Sequence, residues 1–169
     1  PPTDTPTPTT TPTPVPVFLA LSQVYAGGGS STGFYKPDYA EILNRGTSAV
    51  NLSGYSLQYG SATGNFGSSA TNIYVFGSVT LQPGQYYLVQ LGALGTGGAD
   101  LPVTPDATTT NLNMSAASGK TALANVATAL GCGATATLCT LPDSRIVDLV
   151  SYGASNNGEG GTTVNNGVV

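Results

Sequence analysis

Beyond residue 17 the chain consists of short apolar or alternating runs, separated by turns rich in Gly, Pro, Ser and Asn. A run of four to nine residues bounded by such turns is typical of a β-strand and too short for a stable helix. The nearest helical candidate, "TALANVATAL", is weakened by its Val and Thr. Eight runs at this spacing predict an all-β, antiparallel sandwich: Val17–Tyr25, Tyr39–Arg45, Tyr55–Gly60, Ile73–Leu81, Tyr86–Leu91, Asn111–Met114, Lys120–Val126 and Arg145–Gly153.

The first sixteen residues, "PPTDTPTPTTTPTPVP", have a different composition, with seven Pro and seven Thr. Proline fixes φ and removes amide donors, so we expect an extended, polyproline-like segment over residues 1–16 and the sandwich over residues 17–169. A plain interdomain linker is the simpler alternative. Thr beside Pro is also a typical acceptor of O-linked glycans. The candidate positions are Thr3, Thr5, Thr7, Thr9, Thr10, Thr11 and Thr13.

Charge is scarce along the whole chain of 169 residues. Only 7% of the residues are charged, the net charge is −4 and the pI is near 4.2. Four scattered cations, Lys36, Arg45, Lys120 and Arg145, cannot release many counterions from a phosphate backbone, which argues against nucleic acid as a partner. A surface made polar by hydroxyls and amides leaves little repulsion to oppose self-association, and it is common in extracellular proteins.

Two cysteines, Cys132 and Cys139, stand in "GCGATATLC", in a chain without His. The spacing matches no zinc signature, so we predict a disulfide that closes a small loop, with two free buried thiols as the alternative. A disulfide indicates an oxidising compartment, and hence a secreted protein at the cell surface or outside the cell. No apolar run approaches the length of a membrane span.

Four ordered segments resemble those of bacterial lamin tail domains: "DYAEILNRGTSAVNLSGYSLQY", "LQPGQYYLVQ", "MSAASGKTALAN" and "IVDLVSYG". The resemblance extends from about Val17 to Gly153. It implies an immunoglobulin-like sandwich without catalytic activity, of a kind found in secreted proteins and attached to extracellular nucleases and phosphoesterases. Members of that family usually continue past the "SYG" strand, whereas this chain has only "ASNNGEGGTTVNNGVV" there.

Two acids lie within predicted strands. Alternation places Glu41 on the same face as Tyr39 and Leu43, opposite Ala40 and Ile42, and Asp148 lies between Val147 and Leu149. We expect both carboxylates to be structural, bonded to backbone amides or to a nearby cation, with Arg45 and Lys36 as the options for Glu41. The alternative is an acid–base pair of the glycosidase type. It lacks supporting polar groups, His and a Trp-lined cleft, so we predict no enzymatic activity.

Further candidate sites rest on weaker patterns. Oxygen ligands for Ca²⁺ are available, although their spacing matches no calcium loop and no cofactor is expected. These ligands are Asp38, Glu41, Asp100, Asp106 and Asp148. The triplets "NLS" at Asn51 and "NMS" at Asn113 match the N-glycosylation signal.

These features favour a structural protein of an extracellular filament or layer, with other copies of itself, glycans and cell-surface components as partners. The alternative is an accessory module that positions a larger secreted hydrolase. If the sandwich lacks its last strand, an exposed edge would accept a segment of a neighbouring copy, with Val15–Val24 as the expected donor. Otherwise "TTVNNGVV" would close its own sheet.

Overall fold

The computed structural model describes residues 18–158, and these residues form ten β-strands and one short 3-10 turn, Ala70–Asn72. No helix among them is long and apolar enough to cross a membrane. The strands are β1 (Leu19–Tyr25), β2 (Asp38–Asn44), β3 (Val50–Asn51), β4 (Ser56–Ser61), β5 (Ile73–Val75), β6 (Thr80–Leu81), β7 (Tyr86–Leu91), β8 (Ala107–Thr108), β9 (Gly119–Ala124) and β10 (Ile146–Tyr152).

The strands form two four-stranded sheets and a small ribbon. The front sheet has the order β1-β2-β7-β8, the back sheet has the order β10-β9-β4-β5, and β3 pairs with β6. Every pair is antiparallel except β7 with β8, which is a two-residue parallel pair. The predicted immunoglobulin-like β-sandwich is confirmed, with that small exception to its antiparallel pairing.

The core lies between the two sheets and follows the period-two alternation of the strands. On β2 the residues Asp38, Ala40, Ile42 and Asn44 are buried and the residues between them are half-buried, as the pleat of a strand requires. The core cluster includes Leu19, Leu21, Leu57, Phe76, Leu81, Val89, Leu91 and Leu123. Because Asp38 has the same parity as Ala40 and Ile42, the sequence pattern already places one carboxylate on the core face.

The outer face of the back sheet is also buried, under the segment that carries the two cysteines. All six residues of β9 are buried, and a second cluster covers its outer side. The cluster consists of Phe66, Ala122, Ala124, Leu130, Cys139 and Leu149. Gln58 fastens this cover, since its Nε2 donates to the carbonyl of Thr128 and its Oε1 accepts from the N–H of Leu130. The outer face of the back sheet is therefore covered by another segment of the chain.

Two sequence-based strand predictions are wrong. The run Ile73–Leu81 is divided between β5 and β6, which belong to different sheets, and the pairing with β4 ends where the N–H of Phe76 bonds to the carbonyl of Tyr55. The run Asn111–Met114 forms no strand, because Leu112 has a φ of 58° and its N–H bonds to the carbonyl of Thr71. Tertiary contacts outweigh β-propensity at both places. The sequence also gave no indication of the two-residue strands β3 and β8.

The two long edge strands, β1 and β10, are joined to each other. Each is interrupted by a bulge, between Leu21 and Gln23 in β1 and between Ile146 and Asp148 in β10. Asp148 Oδ2 accepts the N–H of Leu21 at 2.7 Å. Bulges and bonded edge amides disfavour the addition of a further strand.

The expected donation of Val15–Val24 to a neighbouring copy requires a correction. Residues 19–24 of that segment already lie in β1, paired with β2 of the same chain. Residues 15–17 and the segment "TTVNNGVV" lie outside the described residues, so the predicted closure of the sheet by that segment remains a prediction.

Candidate functional site

Asp38 is the most deeply buried acid of the front sheet, with 1% of its surface exposed. Its Oδ1 accepts the N–H of Gly28 at 2.9 Å and its Oδ2 accepts the N–H of Met114 at 2.7 Å. Burial raises the pKa of Asp38 to about 6, although the two backbone N–H groups lower it. The carboxylate joins the loop after β1 to the segment before β9, and this role is structural.

Glu41 and Asp148 bond to different groups. Glu41 Oε1 accepts the hydroxyl of Ser22 at 2.7 Å and the amide of Gln23 at 3.3 Å. The expected partners Lys36 and Arg45 are not the ones found: Lys36 pairs with Asp100 at 2.9 Å. Asp148 accepts two backbone N–H groups, from Leu21 and from Leu149. The contacts of both acids fit the predicted structural role.

Lys120 on β9 is completely buried, although no pattern in the sequence predicts its burial. Its Nζ donates to the carbonyl of Gly133 at 2.8 Å, to that of Ala62 at 3.2 Å and to Asn156 Oδ1. It also lies 5.6 Å from the ring centroid of Phe66. Burial lowers the pKa of Lys120 to about 8. The amine joins three loops at one end of the back sheet.

The disulfide between Cys132 and Cys139 is present, with an S–S distance of 2.07 Å. The side chain of Asn157 bonds to both backbone groups of Cys139: its Oδ1 accepts the N–H and its Nδ2 donates to the carbonyl. Arg145 donates to the carbonyl of Leu130 in the same segment and forms an ion pair with Asp143. The disulfide therefore closes the cover over the back sheet.

The remaining candidate positions are spread over the surface. Asn51 and Asn113 are both exposed, as N-glycosylation would require, and remain predictions. Their predicted O-linked counterparts, Thr3 to Thr13, lie outside the described residues. The five calcium candidates are not gathered at one place: within residues 18–158 no three His, Cys, Asp or Glu side chains are close enough to hold a metal ion.

The outer face of the front sheet carries a cluster of aromatic rings that the sequence analysis did not single out. The rings of Tyr25 and Tyr39 are stacked, with centroids 5.4 Å apart. Tyr35 meets both rings edge-on, at 5.7 and 6.1 Å, and Phe34 meets Tyr35 at 4.8 Å with 74% of its own surface exposed. We refer to Tyr25, Phe34, Tyr35, Tyr39 and Gln90 as the tyrosine face.

Hydrogen bonds fix the rings of the tyrosine face. The Tyr25 hydroxyl accepts the N–H groups of Phe34 and Tyr35, at 2.7 and 3.2 Å, so it holds the loop that carries them. The Tyr39 hydroxyl donates to Gln23 Oε1 at 3.1 Å. Burial, followed by the neighbouring Tyr35 and Glu41, raises the pKa of Tyr39, which keeps the hydroxyl protonated as a donor. The rings are therefore held in place before any ligand arrives.

An open groove continues the tyrosine face across the sheet. Gln90 on β7 is the register partner of Tyr39, so their side chains are neighbours on the same outer face. Gln90 also lines a groove of about 390 Å³, whose other walls are formed by Asp100, Leu101, Pro102, Val103, Thr104 and Pro105. Stacked aromatic rings, an amide and an open groove with both polar and apolar walls are suited to binding an extended, weakly charged ligand.

The loop that carries Phe34 and Tyr35 is tightly folded against the rest of the chain. At Gly28 a Cβ atom would lie 2.1 Å from the carbonyl carbon of Pro37, so only glycine fits there. The loop therefore supports the aromatic rings of the tyrosine face.

The fold and these contacts define the class of protein as an immunoglobulin-like β-sandwich module, whose acids in residues 18–158 bond within the chain. The chain belongs to the lamin tail domain family, whose model matches residues 13–154. The resemblance seen in the sequence is thereby confirmed, and the family is one of non-catalytic immunoglobulin-like domains. No curated protein matches the chain.

Proposed function

We propose that this chain is a non-catalytic, extracellular structural protein, a glycosylated subunit that associates with copies of itself in a surface filament or layer. The observation that carries the proposal is the bonding of its charges. Of the ten Asp, Glu, Lys and Arg side chains in residues 18–158, nine bond within the chain: Lys36, Asp38, Glu41, Asp100, Asp106, Lys120, Asp143, Arg145 and Asp148.

Lys36 with Asp100 and Arg145 with Asp143 form ion pairs, and the remaining charges of the chain are few, so charge contributes little to repulsion between copies. What remains at the surface is mostly hydroxyl, amide and apolar, and this includes Phe18, Phe34 and Tyr86, each more than half exposed. Net charge is a main factor that keeps proteins apart in solution, so a chain of this kind has a low barrier to close contact between copies.

The disulfide supports the extracellular part of the proposal, because such bonds persist in oxidising compartments. The exposure of Asn51 and Asn113 supports glycosylation, since an acceptor asparagine must reach the transferase. The mass of the protein isolated from its source, before and after enzymatic removal of glycans, tests that part directly.

Sedimentation velocity over a hundredfold range of protein concentration, with electron microscopy of the same samples, tests self-association. We expect larger species to form as the concentration rises, and their proportion to change little with salt because few free charges are involved. A single monomeric species at every concentration would contradict the proposal.

The accessory module of a larger secreted hydrolase is the second candidate, and the groove beside the tyrosine face favours it. In that role the chain would hold a polymeric substrate close to a separate catalytic domain. A chain that stays monomeric and binds a soluble polysaccharide or nucleic acid in a saturable manner would support this candidate over self-association.

A further inference from the structure

We propose that the tyrosine face binds the Pro/Thr segment, residues 1–16, of a second copy of the chain. The inference rests on the proposed self-association and names the contact that would carry it. It replaces strand donation as the link between copies, since β1 is already paired within its own sheet.

The tyrosine face differs from the opposite side of the sandwich in being open. The outer face of the back sheet is covered by the disulfide segment. On the front sheet the outward residues of β2 and β7, and Gln23 and Tyr25 of β1, are half-buried or exposed, and Phe34 is the most exposed of the large apolar side chains in residues 18–158. Surfaces of this type, with tyrosine rings and hydrogen-bonding side chains, recognise polyproline segments.

The single charge of residues 1–16 distinguishes one edge of that segment from the other two. A polyproline II helix has three residues per turn, so its side chains fall on three edges. The seven prolines are spread over all three edges, and two of the edges are uncharged: one with Pro2, Thr5, Pro8, Thr11 and Pro14, the other with Thr3, Pro6, Thr9, Pro12 and Val15. The third edge carries Pro1, Asp4, Thr7, Thr10, Thr13 and Pro16.

This arrangement matches a ligand that contacts a surface through two edges. The two uncharged edges would pack against the aromatic rings, because proline rings and aromatic rings present flat apolar surfaces to each other. The third edge holds the only charge of the segment, Asp4, and would face solvent. Thr7, Thr10 and Thr13 would then remain open to carry glycans while the segment is bound.

The path of the chain favours a second copy over the segment's own sandwich. Sixteen residues of polyproline II span about 50 Å, whereas the seven residues of β1 span about 23 Å, so length limits neither arrangement. The N–H of Arg45 donates to the carbonyl of Phe18 and fixes the start of β1. To return over its own front sheet the chain would have to reverse within a few residues. Pro14 and Pro16 keep their preceding residues extended and oppose such a turn.

The charges are compatible with this contact. Near the rings Glu41 is bonded to Ser22 and Gln23, and Lys36 is paired with Asp100. The segment adds a single carboxylate. We therefore expect binding to depend weakly on salt, which separates it from an electrostatic association.

The test uses the full chain and a fluorescent synthetic peptide of residues 1–16. We expect saturable binding by fluorescence anisotropy, and competition by the unlabelled peptide that dissolves the assemblies seen in sedimentation. A control peptide has the same composition but exchanges Asp4 with Thr5, which moves the charge to an edge that would face the rings, and it should bind more weakly.

Substitutions on the tyrosine face and away from it test whether the peptide binds to that face. Phe34→Ala with Tyr35→Ala should weaken peptide binding at least about tenfold, the loss typical of removing aromatic anchors. The matched control is Leu138→Ala, since Leu138 is 53% exposed on the opposite side, in the disulfide segment, and its removal should leave binding unchanged. Circular dichroism and thermal unfolding establish that the double variant is folded; if it is not, Phe34→Ala alone takes its place.

The outcomes distinguish this inference from the proposed function. Assemblies that persist in the double variant with unchanged peptide affinity would overturn the inference and leave self-association standing. A parent chain that is monomeric at every concentration would contradict self-association itself, and peptide binding by that chain would then indicate contact within one copy, which also overturns the inference. Binding of a soluble glycan without any binding of the peptide would likewise overturn the inference.

Discussion

Asp148 on β10 accepts the N–H of Leu21 on β1 at 2.7 Å, and this hydrogen bond joins the last strand of the back sheet to the first strand of the front sheet. The other oxygen of the same carboxylate accepts the N–H of Leu149 at 2.9 Å. One side chain thus bonds two backbone donors at the edges where the sandwich would otherwise present unpaired strands. The acid stabilises the fold and also limits which surfaces can meet another molecule.

Asp148→Asn should destabilise the fold, because an amide has one acceptor oxygen and leaves either Leu21 or Leu149 facing its NH₂ group. We expect the free energy of unfolding to fall by about 1–3 kcal/mol, the cost of an unsatisfied partly buried donor. Urea denaturation followed by circular dichroism measures the change.

Asp100→Asn is the matched control for that substitution. Asp100 pairs with Lys36 at the surface, where its side chain is 81% exposed, and such pairs contribute about 0–1 kcal/mol. Equal losses in the two variants would show that the hydrogen bond between Asp148 and Leu21 contributes no more to stability than a surface ion pair does.

Asp38 should make the stability of the protein depend on pH. Its pKa is raised by burial from 3.8 to about 6 in the folded state, so the folded protein binds this proton more readily than the unfolded chain does. Its contribution is therefore most favourable below pH 4 and is lost as the pH rises through about 6.

Comparison with Asp38→Asn isolates that contribution, because the amide does not titrate while all other groups stay the same. Relative to the variant, the parent should be more stable at pH 4 than at pH 7. Urea denaturation of both proteins across this range measures the difference. A difference that stays constant with pH would contradict the predicted burial of the charge.

Gly133 should tolerate alanine less well than Gly131. Both have positive φ, at 113° and 69°, and we expect alanine to cost about 1 kcal/mol at either position from strain alone. At Gly133 the new Cβ would also lie 3.0 Å from the ring of Phe66 and 3.1 Å from Cε of Lys120, whereas nothing lies within 4 Å at Gly131.

The crowding at Gly133 should add about 1–3 kcal/mol to the loss of stability. Thermal unfolding of the two variants side by side provides the measurement. Similar losses would mean that the end of the back sheet around Lys120 can relax, and that the buried amine is not held by close packing.

The sequence pattern predicted the strands better where turn-forming residues flank their ends. The run "YYLVQL" matches β7 at both ends, because the Pro-Gly turn before it sets the start and Gly92 follows its end. The run Ile73–Leu81 was misread since its apolar residues serve two different sheets, and the order in which sheets pack is not encoded in a short window. The positive φ of Leu112 depends likewise on contacts with distant Thr71.

The candidate site was less predictable than the fold. Asp38 lies two residues before Ala40 and four before Ile42, so strand alternation would have placed that acid on the core face from the sequence alone. Lys120 offered no such signal, because its acceptors on Ala62, Gly133 and Asn156 come from three separate loops. The tyrosine face depends on a glycine-rich loop folding back over β1 and β2, which spacing alone does not reveal.

The disulfide should stabilise the fold mainly through the unfolded chain. Closing a loop with a separation of seven residues is expected to contribute about 2–3 kcal/mol. Cys132→Ser with Cys139→Ser should therefore lower the free energy of unfolding by that amount. Thiol labelling of the parent, denatured without reductant, should modify neither cysteine.

Asn157 and the disulfide both hold Cys139, because the side chain of Asn157 bonds the N–H and the carbonyl of that residue. While the disulfide is intact, two independent anchors hold the cover over the back sheet. Asn157→Ala should therefore cost more in the protein without the disulfide than in the parent, by about 0.5–2 kcal/mol, within the range measured for coupled neighbours. A double-mutant cycle from urea denaturation gives the coupling. If the two losses simply add, the disulfide and Asn157 stabilise the segment independently, and Asn157 contributes no more to stability when the disulfide is absent.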